Sequence, residues 1–111
     1  MREIASSRLN RDLAMTDMTI KKLFIANRGE IAVRAALACE KRGIKAVIPY
    51  SFPDSESLAT RMADRNADKG WELAVLGGTG AEETYANPKK ILEAAKLHGC
   101  DAIFLGYGFL A

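Results

Sequence analysis

The chain has 111 residues, enough for one domain core and too few for two. Its 49% hydrophobic content supplies the apolar residues that disordered tails lack. Sixteen Lys and Arg against fourteen Asp and Glu leave a net charge of +2, far from the dense basic stripe that nucleic-acid binding demands, and no apolar run approaches the ~20 residues needed to span a bilayer.

Residues 1–19 are polar and of mixed charge, and read as a flexible N-terminal extension. They lack the apolar stretch of roughly 7–15 residues that marks a secretory signal. Arg2, Arg8 and Arg11 with Ser6 and Ser7 hint at a mitochondrial presequence, but Glu3, Asp12 and Asp17 are acids that such presequences avoid. A cytoplasmic location is therefore expected, with the mitochondrion as the minor alternative.

Regular patterning starts at Lys21. Leu23–Ala26 is a short apolar run that reads as a strand buried on both faces. Asn27-Arg28-Gly29 follows, then a helix from about Glu30 to Arg42 with Ile31, Ala35, Ala38 and Cys39 on one apolar stripe. Gly43 stops it. Ile44–Tyr50 is the second strand, ended by Pro49. A short helix around Leu58–Asp64 is expected next, with Asp54 or Ser55 as its cap. A charged loop then leads to a third strand, Trp71–Leu76, and to Gly77-Gly78-Thr79-Gly80. Asn87 caps the next helix, with Pro88 at its first position. That helix runs through Lys89–His98 with Ile91, Leu92 and Ala95 inward, and Gly99 closes it. Asp101–Leu105 is the fourth strand, and Gly106-Tyr107-Gly108 turns the chain away.

Helices alternating with strands predict an α/β fold, a Rossmann-like parallel sheet of about four strands with helices on both faces. Ligands of such sheets approach the carboxyl ends of the strands. Two loops matter most on that ground, Asn27-Arg28-Gly29-Glu30 and Gly106-Tyr107-Gly108. The first has one glycine where a dinucleotide fold carries three, and Glu30 would repel a pyrophosphate, so a surface pair for Arg28 and a helix-dipole role for Glu30 are the plainer reading. In the second, two glycines around a tyrosine would let backbone and ring approach a ligand, and a packed tight turn accounts for them equally well. Gly77–Gly80 lacks the Lys-Ser/Thr of a phosphate loop and reads as a flexible connector. His98 suits a helix carbonyl end rather than catalysis. Arg34, Leu37 and Lys41 share a helix face with Glu30, solvated by default, with room for a contact between protomers at Leu37. Cys39 and Cys100 stand far apart and read as small buried hydrophobes in a reducing compartment. With His98 the one histidine, no metal site is expected.

Five stretches carry a resemblance. They are K-L-F-I-A-N-R-G-E-I-A-V-R (Lys22–Arg34), A-C-E-K-R-G-I-K (Ala38–Lys45), the segment Tyr50–Ser55 with M-A-D at Met62–Asp64, Y-A-N-P-K-K-I-L-E-A-A (Tyr85–Ala95), and G-Y-G-F-L (Gly106–Leu110). In this order they resemble the N-terminal domain of biotin carboxylase, the ATP-using component of acetyl-CoA, propionyl-CoA and pyruvate carboxylases. The resemblance implies a domain over residues 20–111 that precedes an ATP-grasp domain. It implies a ligase that activates bicarbonate with ATP and Mg2+ and carboxylates biotin held on a carrier protein or domain, for a carboxyltransferase to use. Tyr107 would pack on the biotin ring, Gly108 and Gly106 would permit the backbone contact, and Asn27, Arg28, Gly29 and Glu30 would be the signature loop. The helix bearing Arg34, Leu37 and Lys41 would lie at a homodimer surface.

The phosphate-binding lysines, magnesium carboxylates and bicarbonate arginine of that family would all follow Ala111. No catalytic residue is thus assigned here, and the 111-residue chain is expected to be inactive alone. Phe104-Leu105 stands where the family usually has His-Pro. Leu37 and Lys41 replace an arginine and a glutamate common in bacterial relatives, and Arg65–Trp71 adds residues to a surface loop. Two other readings are a free-standing Rossmann-like binding or dimerisation module, and the leading domain of another ATP-grasp ligase such as a carbamoyl-phosphate synthase.

Overall fold

The computed structural model describes residues 2–4 and 20–106. In chain order its regular elements are β1 (Arg2–Ile4), β2 (Lys22–Ile25), α1 (Gly29–Lys41), β3 (Lys45–Tyr50), α2 (Leu58–Arg65), β4 (Trp71–Val75), α3 (Pro88–Leu97) and β5 (Ala102–Phe104). The strands form one sheet in the order β1-β5-β2-β3-β4, and every pairing is parallel.

Alternation along the strands divides the interior into two layers. Leu23, Ile25, Ala46, Ile48, Trp71, Ala102 and Phe104 face α1 and α2. Phe24, Val47, Ala74 and Ile103 face the opposite way, against Ile91 and Ala95 of α3. A strand covered on both sides has no polar face to offer, which is why residues 23–26 read as one unbroken apolar run. Helix α1 lies against its layer through small side chains: Ala32, Ala35, Ala36 and Cys39 are all fully buried. Ile31, expected on that stripe, is only partly buried and packs at its margin.

The connections set where the loops meet. From β2 the chain moves outward through α1 to β3 and through α2 to β4, then α3 carries it back across the opposite face to β5, on the other side of β2. The order of strands therefore reverses between β2 and β5. In open parallel sheets that switch point leaves a crevice at the carboxyl ends of its two strands.

Four expectations need correction. The extension over residues 1–19 is not flexible throughout, because Arg2–Ile4 adds a fifth strand to β5 and gives partners to backbone groups an open edge would leave unpaired. The cap of α2 is neither Asp54 nor Ser55 but Ser57, whose side chain accepts from the Thr60 N–H at 3.3 Å. Leu92 of α3 faces outward and is 45% exposed, since Ile91 and Ala95 already occupy the contact with the sheet. Gly77–Gly80 is held rather than loose: Lys90 Nζ donates to the Gly77 carbonyl at 2.7 Å, and the Phe52 N–H to that of Gly78 at 3.1 Å. The added residues 65–71 end α2, pass through a 3-10 turn at Ala67–Lys69 and enter β4 at the buried Trp71. Both cysteines are free and buried, and burial pushes each thiol up to about 12, so neither is poised for thiolate chemistry.

Asn87 caps α3 as expected, its side chain accepting from the Lys90 N–H at 3.1 Å. Asn87→Ala is expected to lower unfolding free energy by about 1 kcal/mol. Ile91→Ala on the buried side should cost about 3 kcal/mol and Leu92→Ala less than about 1 kcal/mol. Urea titration of the three variants measures these costs, and equal losses at 91 and 92 would refute the orientation of α3.

Candidate functional site

Two hydrogen-bonded groups occupy the carboxyl edge of the sheet, and the loop after β2 belongs to both. The first sits at the switch point. Strand pairing reaches one residue past β2, with the Ala26 N–H donating to the Phe104 carbonyl at 2.9 Å. Beyond it the Asn27 side chain takes over, its Nδ2 donating to the Leu105 carbonyl at 2.9 Å while its Oδ1 accepts from the Arg28 N–H at 2.8 Å. Asn27 is 2% exposed.

Gly106 is buried beside it with φ +69°, a left-handed conformation that side chains rarely adopt. A Cβ there would lie 2.8 Å from Asn27 Nδ2 and 3.1 Å from Ile31 Cγ2. The missing side chain at 106 is thus used by packing against Asn27 and Ile31. Tyr107 and Gly108, the other two residues of that expected site, lie outside the described residues.

The second group joins the loops after β2 and β3 to the segment before α3. The surface pair expected for Arg28 is instead a bidentate bond to a buried carboxylate: Nε donates to Asp54 Oδ2 and Nη2 to Asp54 Oδ1, both at 2.7 Å. Tyr85 Oη donates to Asp54 Oδ2 at 2.6 Å and accepts from the Ser51 N–H at 3.0 Å. The Asp54 carbonyl in turn accepts from Thr60 Oγ1 at 2.7 Å, tying α2 to the same turn. Arg28, Ser51, Asp54 and Tyr85 line a cleft of about 210 Å3 together with Thr79, Ala81 and Thr84.

The hydrogen bonds from Arg28 hold the Asp54 carboxyl below its ordinary range, against burial, which acts the other way. Its hydrogen bonds with Asp54 likewise raise the Arg28 guanidinium. Burial and the bond to Asp54 raise the Tyr85 phenol, so Tyr85 remains a donor across the physiological range.

Sequence reasoning misses Asp54 and Tyr85 as site residues. The first reads as a helix cap, and the second lies within a motif that assigns it no role. A tyrosine beside the helix-capping Asn87, in a segment otherwise polar, is the signal that could have found it.

The remaining expected residues lie apart. Gly29 and Glu30 open α1, where a carboxylate suits the helix dipole, and Glu30 also pairs with Arg34 one turn on at 2.9 Å, both highly exposed. Arg34, Leu37 and Lys41 form the outer face of α1, with Leu37 40% exposed. Phe104, at the departure from the usual His-Pro, is a core residue under α1, and Leu105 packs against the α3 layer.

His98 does not turn to the carbonyls of its helix. Its Nδ1 meets Glu72 of β4, which Lys22 Nζ also reaches at 3.0 Å. Burial pushes the Glu72 carboxyl up, and hydrogen bonds from His98 and Lys22 outweigh it, so the group sits below its ordinary value. This cluster stands at the amino ends of β2 and β4, away from both groups above. Among the described residues no three His, Cys, Asp or Glu side chains gather as metal ligands would.

The comparisons with known proteins agree on one family. The sequence pattern of the biotin carboxylase N-terminal domain matches residues 19–111. Biotin carboxylase 1 of Bacillus subtilis is 48% identical over 92 residues, covering 83% of this chain and 19% of that protein. The mitochondrial propionyl-CoA carboxylase alpha chain of Rattus norvegicus is 39% identical over 95 residues, covering 86% and 12%. Among solved structures, the urea carboxylase of Kluyveromyces lactis superposes with a TM-score of 0.72 at 41% identity, covering 83% of this chain and 8% of that one. The chain thus spans less than a fifth of the length of these relatives.

Asp54→Asn tests the second group. The folded carboxyl titrates below its unfolded value of about 3.9, so the ion pair stabilises fully above that value and is lost as pH falls through the folded one. Because Arg28 is half-exposed, the loss near neutrality should be about 1–2 kcal/mol, less than for a fully buried pair. Urea unfolding at a series of pH values should show wild type and Asp54→Asn converging on acidification. A pH-independent gap would sink the assignment.

Proposed function

The chain belongs to the family of biotin carboxylase N-terminal domains, and from that membership we propose that it is the leading part of a longer biotin-dependent carboxylase. That enzyme uses ATP and bicarbonate to carboxylate biotin on a carrier protein or domain, and a carboxyltransferase then receives the carboxyl group. The observation that carries this reading is the family match across residues 19–111, together with the meeting of the signature loop and the end of β5 at the sheet's switch point. The reading includes a cytoplasmic location and a homodimer formed through the outer face of α1, at Arg34, Leu37 and Lys41.

In this proposal the chain contributes a wall of the biotin site and leaves phosphoryl chemistry to the ATP-grasp segment after residue 111. A transferring phosphoryl group needs fixed cations around it, and Mg2+ with phosphate-binding lysines supplies them in that segment. On this side, Gly106 releases the chain toward Tyr107, whose ring is assigned to pack on the ureido ring system, with Gly108 admitting the backbone beside it. The Arg28–Asp54–Tyr85 group has both its cation and its anion satisfied. It is therefore assigned to hold the rim in shape rather than to react.

Two measurements test this. The isolated 111-residue chain should show no bicarbonate-dependent ATP turnover, and the chain joined to its ATP-grasp continuation should show turnover stimulated by free biotin. Tyr107→Ala in the joined enzyme should raise the KM for free biotin about tenfold, the worth of one aromatic contact. Turnover by the isolated chain, or an unchanged biotin KM in the variant, would overturn the respective part.

A further inference from the structure

We propose that the cleft lined by Arg28, Thr79 and Ala81 binds a small oxyanion, a carboxylate or phosphate group that presents two oxygens to the free edge of the Arg28 guanidinium. The inference stands apart from the carboxylase reading. A guanidinium carries five N–H groups, and a bidentate bond uses two of them. Asp54 takes one on Nε and one on Nη2. The edge formed by Nη1 and the second N–H of Nη2 has no hydrogen-bond partner among the described residues. Arg28 is also the accessible member of the pair, its side chain 52% exposed against 9% for Asp54.

Asp54 balances this cation and at the same time fixes it. An arginine held by two parallel bonds keeps its remaining fork in one orientation, so less entropy is lost when an anion docks. Attraction falls with distance, and an anion against Nη1 and Nη2 is nearer to the guanidinium than to the carboxylate behind it. The loop that carries Thr79 is fixed as well. The Gly77 carbonyl accepts from Lys90 Nζ, the Gly78 carbonyl from the Phe52 N–H, and the Gly80 carbonyl from Thr84 Oγ1 at 2.8 Å. Thr79 adds to the cleft an exposed hydroxyl with no partner among the described residues, free to donate to an anion. The acids of the adjoining turn, Glu82 and Glu83, do not line the cleft, and Glu83 is folded against Gly78. At about 210 Å3 the space is below the roughly 300–1,000 Å3 of sites for drug-sized molecules, so it suits a few heavy atoms rather than a nucleotide. Its lining comes from the loops after β2, β3 and β4, at the sheet edge where ligands of such folds approach.

The test titrates the 111-residue chain with sodium acetate, sodium phosphate and sodium chloride at one ionic strength and neutral pH, following amide and guanidinium NMR signals. Acetate or phosphate should give saturable shifts at the Arg28 guanidinium, Ser51 and residues 79–81. The expected dissociation constant is about 1 mM, the scale of two charge-assisted hydrogen bonds. Whichever of the two salts binds tighter identifies the group. Thr79→Val should weaken binding about fivefold, the weight of one hydrogen bond. Ala81 lines the cleft and is exposed, so Ala81→Lys should tighten binding and Ala81→Glu weaken it, each about fivefold. A purely structural role for these residues would not give effects of opposite sign at one position.

Shifts that match those in chloride, or that grow linearly without saturating, would overturn the inference. So would an unchanged affinity in Thr79→Val together with equal affinities in the two Ala81 variants, because the anion would then sit outside this cleft. None of these measurements involves ATP or biotin, so a negative result leaves the carboxylase reading standing.

Discussion

The Asp54 carboxylate is the charge around which the carboxyl rim of this sheet is assembled. It comes from the turn after β3 and is buried, so it must be fully paired to stay ionised there. Arg28 reaches it from the loop after β2 with two parallel bonds, and Tyr85 arrives from the segment before α3. Three loops that share no strand pairing are thus fixed to one another through a single side chain. A guanidinium suits this work because its planar fork matches both carboxylate oxygens at once, a geometry that lysine could not reproduce.

The elements are more legible in the sequence than the contacts between them. Strand β2 is plain because a run buried on both faces must be apolar throughout, and α3 because Asn87-Pro88 at one end and Gly99 at the other mark a helix chemically. The reversal that puts β5 beside β2 rather than beyond β4 is set by packing over the whole sheet. No local pattern between residues 88 and 102 announces it. The same limit explains Arg28 and Asp54. They stand twenty-six positions apart, and each has a sufficient local explanation, as a surface charge and as a helix cap. Only the tertiary fold shows that the two explanations are wrong together. Leu92 misleads for a related reason, since apolar spacing does not say where the buried stripe of α3 ends, and in the fold Ile91 and Ala95 take the sheet contact while Leu92 lies outside it. The strand at Arg2–Ile4 is hidden because three residues carry no usable period.

Small side chains make the arrangement possible on the α1 side. Ala32, Ala35 and Ala36 let the helix approach the sheet, so that Ile31 in its first turn can lean on Gly106 while Gly29 starts the helix directly behind Arg28. Larger residues at those positions would lift the helix from the sheet and part Ile31 from Gly106. The amino edge is organised by different chemistry. There Glu72, Lys22 and His98 fasten β4, β2 and the end of α3 to one another, and the Asp101 carboxylate accepts from the Lys21 and Lys22 N–H groups. In a parallel sheet this division follows from chain direction, with the loops available for ligands on one edge and fastening on the other.

Asn27 and Arg28 are adjacent in the chain, yet their side chains belong to different groups, and the Arg28 N–H bonded to Asn27 Oδ1 joins the two. The rim is therefore continuous, from the Leu105 carbonyl through the Asn27 amide to the Arg28 guanidinium, the Asp54 carboxylate and the Tyr85 hydroxyl. Each bond restricts the next, because an amide held at both ends and a guanidinium held by two bonds have little rotational freedom left. A disturbance at Asp54 would reach Leu105 by displacing the Arg28 backbone, and one at Gly106 would reach Asp54 by the same route in reverse. The entropy of holding these loops is then lost once, when the domain folds, rather than each time a ligand arrives.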